Sequence, residues 1–331
     1  PVFVGEVGWP ADGRQRGPAA PSAAAQSAIA RDLLGPDHRA TWPASGLRWP
    51  AFNWIEAFDQ PWKRELEGAM GGRWGVFDAQ GHQRLTLQGQ TAAAPAHALW
   101  PIAAVAGALL ACALSVWTKR AVLGAAGGAR TLLHVSLPGL AVLASALPLQ
   151  WHWLATWCRS PVEWLAWGSV SILCGVLAWQ ALFARDRGST FLVRALQVGV
   201  IAASLYSTLQ LALDGRYRAL WLPMPWACAW VLAWGAVMRG YGAAATHASM
   251  ASGSAMSMAL ASLGLAAALR VLVQEGTANT EAVWLLAMHV LWLLGCWCGH
   301  PRGLHGTHQG EGADANAESN AGVSSWSRPS D

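Results

Sequence analysis

The feature that most constrains this chain is a long stretch almost without charge, residues 97–298. It holds sixteen charged residues in 202 positions, whereas ordinary soluble domains are about 25% charged. Apolar segments of about twenty residues recur within it, and a helix needs about that length to cross a bilayer core. We therefore predict an all-α polytopic membrane domain over residues 97–298, with the lipid bilayer as its partner.

Seven segments have the length and composition of transmembrane helices. They are 98–118, 131–151, 163–184, 195–213, 219–238, 254–274 and 281–298. Short loops on the cytoplasmic side of a membrane protein are enriched in lysine and arginine. If the first span runs inwards, eight basic residues lie on the inner side and three in the outer loops. This bias predicts residues 1–96 outside the cytoplasm and the C-terminal tail inside it.

The two ends of the chain differ in composition from this middle part. Residues 1–96 carry nine basic and nine acidic residues, which is the balance of a soluble domain. Residues 299–331 are rich in glycine, histidine, serine and asparagine and have no apolar period, so we predict a disordered tail there. The net charge is +4 and the arginines are dispersed, so nucleic acid is not an expected partner.

The cysteines and histidines do not follow a metal-binding or redox pattern. None of the six cysteines lies in residues 1–96, and five of them fall inside apolar runs. The histidines at 300, 305 and 308 lie in the glycine-rich tail, where the surroundings would not fix a coordination geometry. We therefore expect no metal and no cofactor.

Residues 1–90 read as strand, loop, helix, strand, loop and a closing segment. The first strand delivers Glu6 into a Gly-Trp-Pro turn, and the following helix has Ser22 as its predicted N-cap. We expect Ile29, Leu33 and Leu34 to form the apolar stripe of that helix.

A second strand over 49–58 would place Phe52, Trp54 and Glu56 on one face. This element order is that of the last two units of a (β/α)8 barrel. Ninety residues cannot close such a barrel, which needs about 250. The fold expected over residues 1–96 is therefore the C-terminal part of a barrel.

Two motifs in this region resemble a known family. The run VFVGEVGWPADG resembles the nucleophile signature of glycoside hydrolase family 17, the β-1,3-glucanases and β-1,3-glucan glucosyltransferases. Residues 2–10 match the pattern, whereas Ala11 stands where the family usually has serine, threonine or asparagine. EAFDQPWK, at 56–63, is similar to the family's last barrel strand, and WGVFD, at 74–78, to the close of its domain. The resemblance covers about residues 1–90 and is closest to bacterial, membrane-attached members.

The resemblance implies a retaining mechanism in which Glu6 is the nucleophile. A second carboxylic acid, about 5–5.5 Å away, would protonate the leaving oxygen. In the family this acid follows an asparagine, and no Asn-Glu pair occurs in this sequence. We therefore expect a C-terminal part of a larger enzyme, without the general acid and inactive alone. The residues that would bind the substrate are Trp9, Trp54, Glu56, Asp59, Trp62 and Lys63.

The function implied is that of a membrane-anchored hydrolase or transglycosylase acting on β-1,3-glucan. It would lie in a bacterial inner membrane, with the barrel in the periplasm and the tail in the cytoplasm. The competing hypothesis is a polytopic membrane protein whose outer domain is a non-catalytic, glucan-binding barrel remnant. A transporter is a weaker alternative, because the spans carry no relay of ionisable residues.

Overall fold

A computed structural model describes residues 3–34, 51–88, 128–183, 190–214, 218–219, 222–241 and 255–298. Within these ranges the protein is mostly helical, and its two strands form one small sheet. The predicted first span, 98–118, and the predicted disordered tail, 299–331, lie outside the described residues.

The N-terminal region begins with a strand–helix–strand unit. Its elements are β1 (Phe3–Val7), α1 (Ala23–Leu34) and β2 (Ala51–Trp54). The two strands are neighbours and run parallel, which is the arrangement that a helical crossover between strands produces. This unit matches the predicted order of elements, whereas a complete barrel is not seen in the part of the chain described.

Helix α1 begins where the sequence predicts but buries a different face. The Ser22 hydroxyl accepts a hydrogen bond from the Ala25 backbone N–H at 3.0 Å, so the predicted N-cap is confirmed. The predicted apolar stripe is buried only in part: Ile29 and Leu33 are half-buried and Leu34 is exposed, whereas the fully buried residues are Gln26, Ser27 and Ala30. The reason is that α1 packs through hydrogen bonds: the Gln26 amide donates to the carbonyl oxygens of residues 74 and 75.

The chain after β2 folds back beside the end of that strand. A short helix, α2 (Lys63–Glu67), and a 3-10 helix (Ala69–Gly72) lead into a closing segment, residues 73–88. This segment exchanges backbone hydrogen bonds with residues 56–59, and Phe58 pairs with Phe77 in a parallel bridge. The return path therefore extends the small sheet without adding another regular strand.

Six of the helices in the described residues form a bundle. They are α3 (Gly128–Trp157), α4 (Pro161–Phe183), α5 (Thr190–Asp214), α6 (Pro223–Tyr241), α7 (Ala255–Glu275) and α8 (Thr280–Cys298). Helix α6 packs against α3, α4 and α8, and α7 packs against α5 and α8. Residues Ala227, Cys228, Ala229 and Val231 of α6 are completely buried, so the centre of the bundle is built around this helix.

Four of the described helices are long and apolar enough to cross a membrane. They are Pro161–Phe183, Phe191–Leu213, Ala255–Glu275 and Thr280–Trp297. Large apolar side chains on their outer faces stay exposed, among them Leu165, Ile172 and Val273, as expected for helices that face lipid. The seven predicted spans are not confirmed: α3, which contains Pro138 and Pro148, and α6 are helices but are not among these four.

Candidate functional site

The two predicted acidic residues lie at or just after the ends of neighbouring strands, on the same edge of the sheet. Glu6 is the last residue but one of β1, and Glu56 comes two residues after the end of β2. The register of the pair shifts between Val4 and Val7, where β1 holds one residue more than β2. Bulges of this kind redirect side chains and are common beside active sites. Glu6 is exposed at this point.

The glycine of the Gly-Trp-Pro turn has a steric reason to be glycine. A Cβ atom added to Gly8 would overlap the carbonyl oxygen of Ile55, and the Ile55 N–H donates to the Val7 carbonyl at 2.9 Å. The two strand ends therefore approach so closely that only glycine fits between them. This contact keeps the loops that carry Glu6 and Glu56 together.

The Glu56 carboxylate is paired with the Lys63 ammonium group. One carboxylate oxygen contacts Lys63 Nζ, and both side chains are mostly buried, at 13% and 21% exposure. The other oxygen, Oε2, is buried and has no hydrogen-bond partner among the described residues. A buried acceptor without a partner is rare in proteins and is a place where a ligand hydroxyl can bind.

The three predicted sugar-stacking tryptophans have different surroundings. Trp62 is 59% exposed, donates from its indole to the Gln60 side chain and lies under Lys63, whose Nζ is 5.8 Å from the ring centroid. Trp9 is half-buried and donates to the Ala20 carbonyl at 3.2 Å. The Trp54 indole N–H is buried and has no partner within the described part of the chain. Trp62 thus offers the most open aromatic face.

Asp59 lies inside the protein. Its side chain is 3% exposed, accepts a hydrogen bond from the Gly75 N–H at 2.9 Å and pairs with the Arg84 guanidinium at 2.5 Å. A carboxylate held in this way links the loop after β2 to the closing segment. The residues that the structure brings near one another are therefore Glu56, Trp62 and Lys63, with Glu6 on the adjacent strand end.

A set of contacts that sequence analysis missed joins this region to the helical bundle. Arg14 pairs with Glu275 at the end of α7, and both side chains are mostly buried, at 5% and 12% exposure. Burial lowers the Arg14 pKa, whereas Glu275 acts to raise it. Beside this pair, the Asn279 amide donates to the Gln15 carbonyl at 2.9 Å, and the Thr280 hydroxyl donates to the Gln15 side chain at 2.9 Å.

A second contact lies at the end of α3. Arg64 Nη2 donates to three backbone carbonyls, those of Ala155, Thr156 and Cys158, at 3.1, 2.6 and 3.3 Å. These carbonyls are left without helical partners at a helix C-terminus, where a cation also interacts favourably with the helix dipole. Asp12 contributes on the same side by accepting from the Thr156 hydroxyl at 3.3 Å. The loops after β1 and β2 are thus both fixed to one end of the bundle.

The sequence carried only a weak signal for these contacts. Arg14 and Glu275 are 261 positions apart, and no local pattern links a charge in a loop to a charge at a distant helix end. The predicted topology places residues 275–280 in a loop outside the cytoplasm, on the same side of the membrane as residues 1–96, and only this indicated that the two regions could meet.

Within the described residues, no group of three or more histidine, cysteine, aspartate or glutamate side chains could hold a metal ion. A comparison of the chain with protein-family models, curated proteins and solved structures found no match.

Proposed function

We propose that this chain carries part of the active site of a membrane-anchored, retaining enzyme that acts on β-1,3-glucan. The observation that carries the proposal is the placement of Glu6, exposed at the end of β1, beside the Glu56–Lys63 pair that follows the neighbouring strand. The carboxyl ends of parallel β/α strands are where barrel enzymes place their catalytic residues. The resemblance of residues 1–90 to glycoside hydrolase family 17 agrees with this position.

In the proposed reaction, the Glu6 carboxylate attacks the anomeric carbon of a β-linked glucose and forms a covalent glycosyl-enzyme. The oxygen of the departing sugar takes a proton from a second carboxylic acid, about 5–5.5 Å from Glu6. Water or an acceptor sugar then attacks the same carbon, gives its proton to the acid that was deprotonated in the first step, and releases the Glu6 carboxylate. Hydrolysis and transglycosylation share this intermediate and differ in the acceptor.

The neighbouring residues would bind the glucan. Glu56 Oε2 and the Trp54 indole N–H have no partner within the described residues, so the first can accept a hydrogen bond from a sugar hydroxyl and the second can donate one. Lys63 would hold Glu56 in position, and the exposed ring of Trp62 would stack on a sugar face. Glu6 and these groups would work in the periplasm of a bacterium, with the helices in its inner membrane.

Binding without cleavage is the second candidate function. It is favoured by one observation: among the described residues, the only other carboxylate directly after a strand is Glu56, and Lys63 neutralises it. One oxygen of Glu56 is occupied by the Lys63 ammonium group, so Glu56 is poorly placed to act as the general acid. A glucan-binding remnant would keep the tryptophans and Glu56 without needing Glu6 as a nucleophile.

The test compares membranes that contain the complete gene product with membranes that contain its Glu6→Ala form at equal abundance. Both are incubated with β-1,3-gluco-oligosaccharides, with and without azide, and the products are read by mass spectrometry. Glu65→Gln, which changes an exposed glutamate on α2, is the matched control.

Two results together would establish Glu6 as the nucleophile. Without azide, Glu6→Ala should give no products. With azide, it should give β-1,3-oligosaccharides that end in a glycosyl azide. Products longer than the substrate would identify a transglycosylase, and shorter products alone a hydrolase. If the native protein and both variants leave the sugars intact, the enzymatic proposal fails and the binding function becomes the favoured one.

A further inference from the structure

A pocket of about 220 Å³ lies between the loop after β2 and the closing segment. Three arginines line it, namely Arg64, Arg73 and Arg84, together with Gln80 and a single carboxylate, that of Asp59. It is separate from the exposed carboxylate of Glu6, which does not line it. The excess of positive charge among the lining residues indicates an anionic ligand.

The charges of the lining residues do not balance. Asp59 is paired with Arg84 at 2.5 Å, which leaves the guanidinium groups of Arg64 and Arg73 without a carboxylate among the lining residues. Like charges that share a partly buried site repel each other, and the repulsion is weakened when an anion binds between them.

Each of the two remaining arginines keeps free donors. Arg64 uses Nη2 on the carbonyls at the end of α3, but its Nε is buried and has no partner among the described residues. Gly72 makes room for the Arg64 stem, because a Cβ there would lie 2.6 Å from Arg64 Cγ. No described residue contacts the guanidinium of Arg73 by a hydrogen bond or an ion pair. Burial, and then the charge of Arg73, lowers the Arg64 pKa.

We propose that this pocket binds a phosphate group through Arg64, Arg73 and Arg84. Guanidinium groups present paired donors that match the oxygens of phosphate, and such hydrogen bonds are stronger than neutral ones. The amide of Gln80 adds a neutral donor. A phosphate carries the negative charge that offsets the excess of the lining arginines, which a neutral sugar hydroxyl would not.

The position of the pocket admits two sources for that phosphate. Arg64 touches the end of α3 next to Pro161, where a candidate membrane-spanning helix begins, and exposed Trp151 packs edge-on against Trp164 at the same end of the bundle. Tryptophans gather at the level of lipid headgroups. The phosphate can therefore belong to a phospholipid headgroup or to a soluble phosphorylated compound.

The experiment uses the full chain in two arms. In the first, the protein in phosphatidylcholine nanodiscs is titrated with inorganic phosphate and with glycerol 3-phosphate at constant ionic strength, and heat is measured. In the second, the protein is extracted from nanodiscs that contain phosphatidylglycerol, and retained lipid is counted by native mass spectrometry. Each arm is repeated with Arg73→Gln, Arg73→Lys and Arg16→Gln.

Arg73→Gln is the informative variant because the Arg73 guanidinium makes no hydrogen bond or ion pair to another described residue, so its loss should not disturb the fold. Arg16→Gln removes one positive charge from an exposed position outside the pocket and is the matched control. We expect saturable binding in one arm, weakened about tenfold by Arg73→Gln, less by Arg73→Lys and not by Arg16→Gln. Binding in the titration arm identifies a soluble phosphate compound, and binding in the lipid arm alone identifies a headgroup.

The proposal is overturned if neither arm shows saturable binding. It is also overturned if Arg16→Gln weakens binding as much as Arg73→Gln, because the attraction would then belong to the surface as a whole. The result does not depend on glucan activity, since no step of the proposed hydrolysis uses these arginines.

Discussion

Arg14 and Glu275 form an ion pair that fixes the loop after β1 to the last residue of α7. The pair lies beside the turn that follows Glu6 in sequence, and it is shielded from water on both sides. The position of the strand-end site relative to the bundle is therefore set by a contact inside the protein. Two of the Arg14 guanidinium nitrogens have no partner among the described residues, and the third contacts the Glu275 carboxylate.

The first prediction concerns that pair. Glu275→Gln removes the carboxylate that pairs with the buried Arg14 guanidinium, and breaking a buried ion pair in this way typically costs about 3–5 kcal/mol. We expect a lower thermal midpoint for the full chain in detergent and faster proteolysis within residues 1–88. Arg14→Met combined with Glu275→Met removes both members of the ion pair and should recover most of the loss, because the Arg14 charge is no longer buried without its partner. Equal instability of the single and double variants would contradict an electrostatic role.

The second prediction concerns Cys158, which lies between α3 and α4. Burial, together with the nearby Glu163, raises the pKa of its thiol to about 11, and the side chain is nearly inaccessible. In a variant that keeps only this cysteine, maleimide labelling near pH 7 should be slow and should rise about tenfold per pH unit below pH 11. The folded thiol holds its proton more tightly than the unfolded one, so its contribution to stability is lost as the pH rises from about 9 to 11.

Cys158 also reports on docking, because Arg64 donates to its carbonyl oxygen. Arg64→Ala in the same single-cysteine background should speed labelling at pH 7, since it releases the end of α3 from the loop after β2. Arg31→Ala, which removes a contact to Thr86 away from the bundle, is the control and should leave the rate unchanged. A rate unaffected by Arg64→Ala would show that this arginine does not hold the two parts together.

The third prediction separates two roles for Asp59. Asp59→Asn keeps an acceptor for the Gly75 N–H but removes the ion pair with Arg84, so we expect a loss of about 1–3 kcal/mol in stability. The same change removes the only negative charge that lines the arginine pocket. Phosphate should then bind more tightly, not less, in the titration described above. Weaker phosphate binding by Asp59→Asn would mean that Arg84 needs this carboxylate to keep its position.

The fourth prediction concerns the packing of α5, α7 and α8. His289 is completely buried, and its Nε2 hydrogen-bonds the Thr208 hydroxyl at 2.8 Å. A Cβ on Gly264 would overlap the His289 ring, so Gly264→Ala should displace the ring and cost about 1–3 kcal/mol. Gly199→Ala on α5, where nothing lies within 4 Å, should stabilise the helix slightly. Thermal midpoints of the two variants in one detergent measure the difference, and similar values would contradict the close contact.

Local signals in the sequence were enough for several elements. The Gly-Trp-Pro turn after an apolar run predicted the end of β1, and a serine before a helical segment predicted the N-cap at Ser22. Both features depend only on residues that are close in sequence. Long apolar runs likewise identified the four helices that could span a membrane. Local pattern failed on α1, where the buried face is polar: Gln26 and Ser27 bind backbone groups of the closing segment, and such partners are invisible before the chain folds.

Sequence patterns alone predicted a charge-balanced region before residue 97 and an apolar helical region after it. They also predicted the two strands of the N-terminal region and the positions of Glu6 and Glu56 at the strand ends. These follow from the spacing of apolar residues and from turn residues close in sequence. The tertiary structure decided which charges meet. Only folding brings Arg14 to Glu275, Arg64 to the end of α3 and three arginines around one pocket, because ion pairs and hydrogen bonds between distant segments depend on the path of the whole chain.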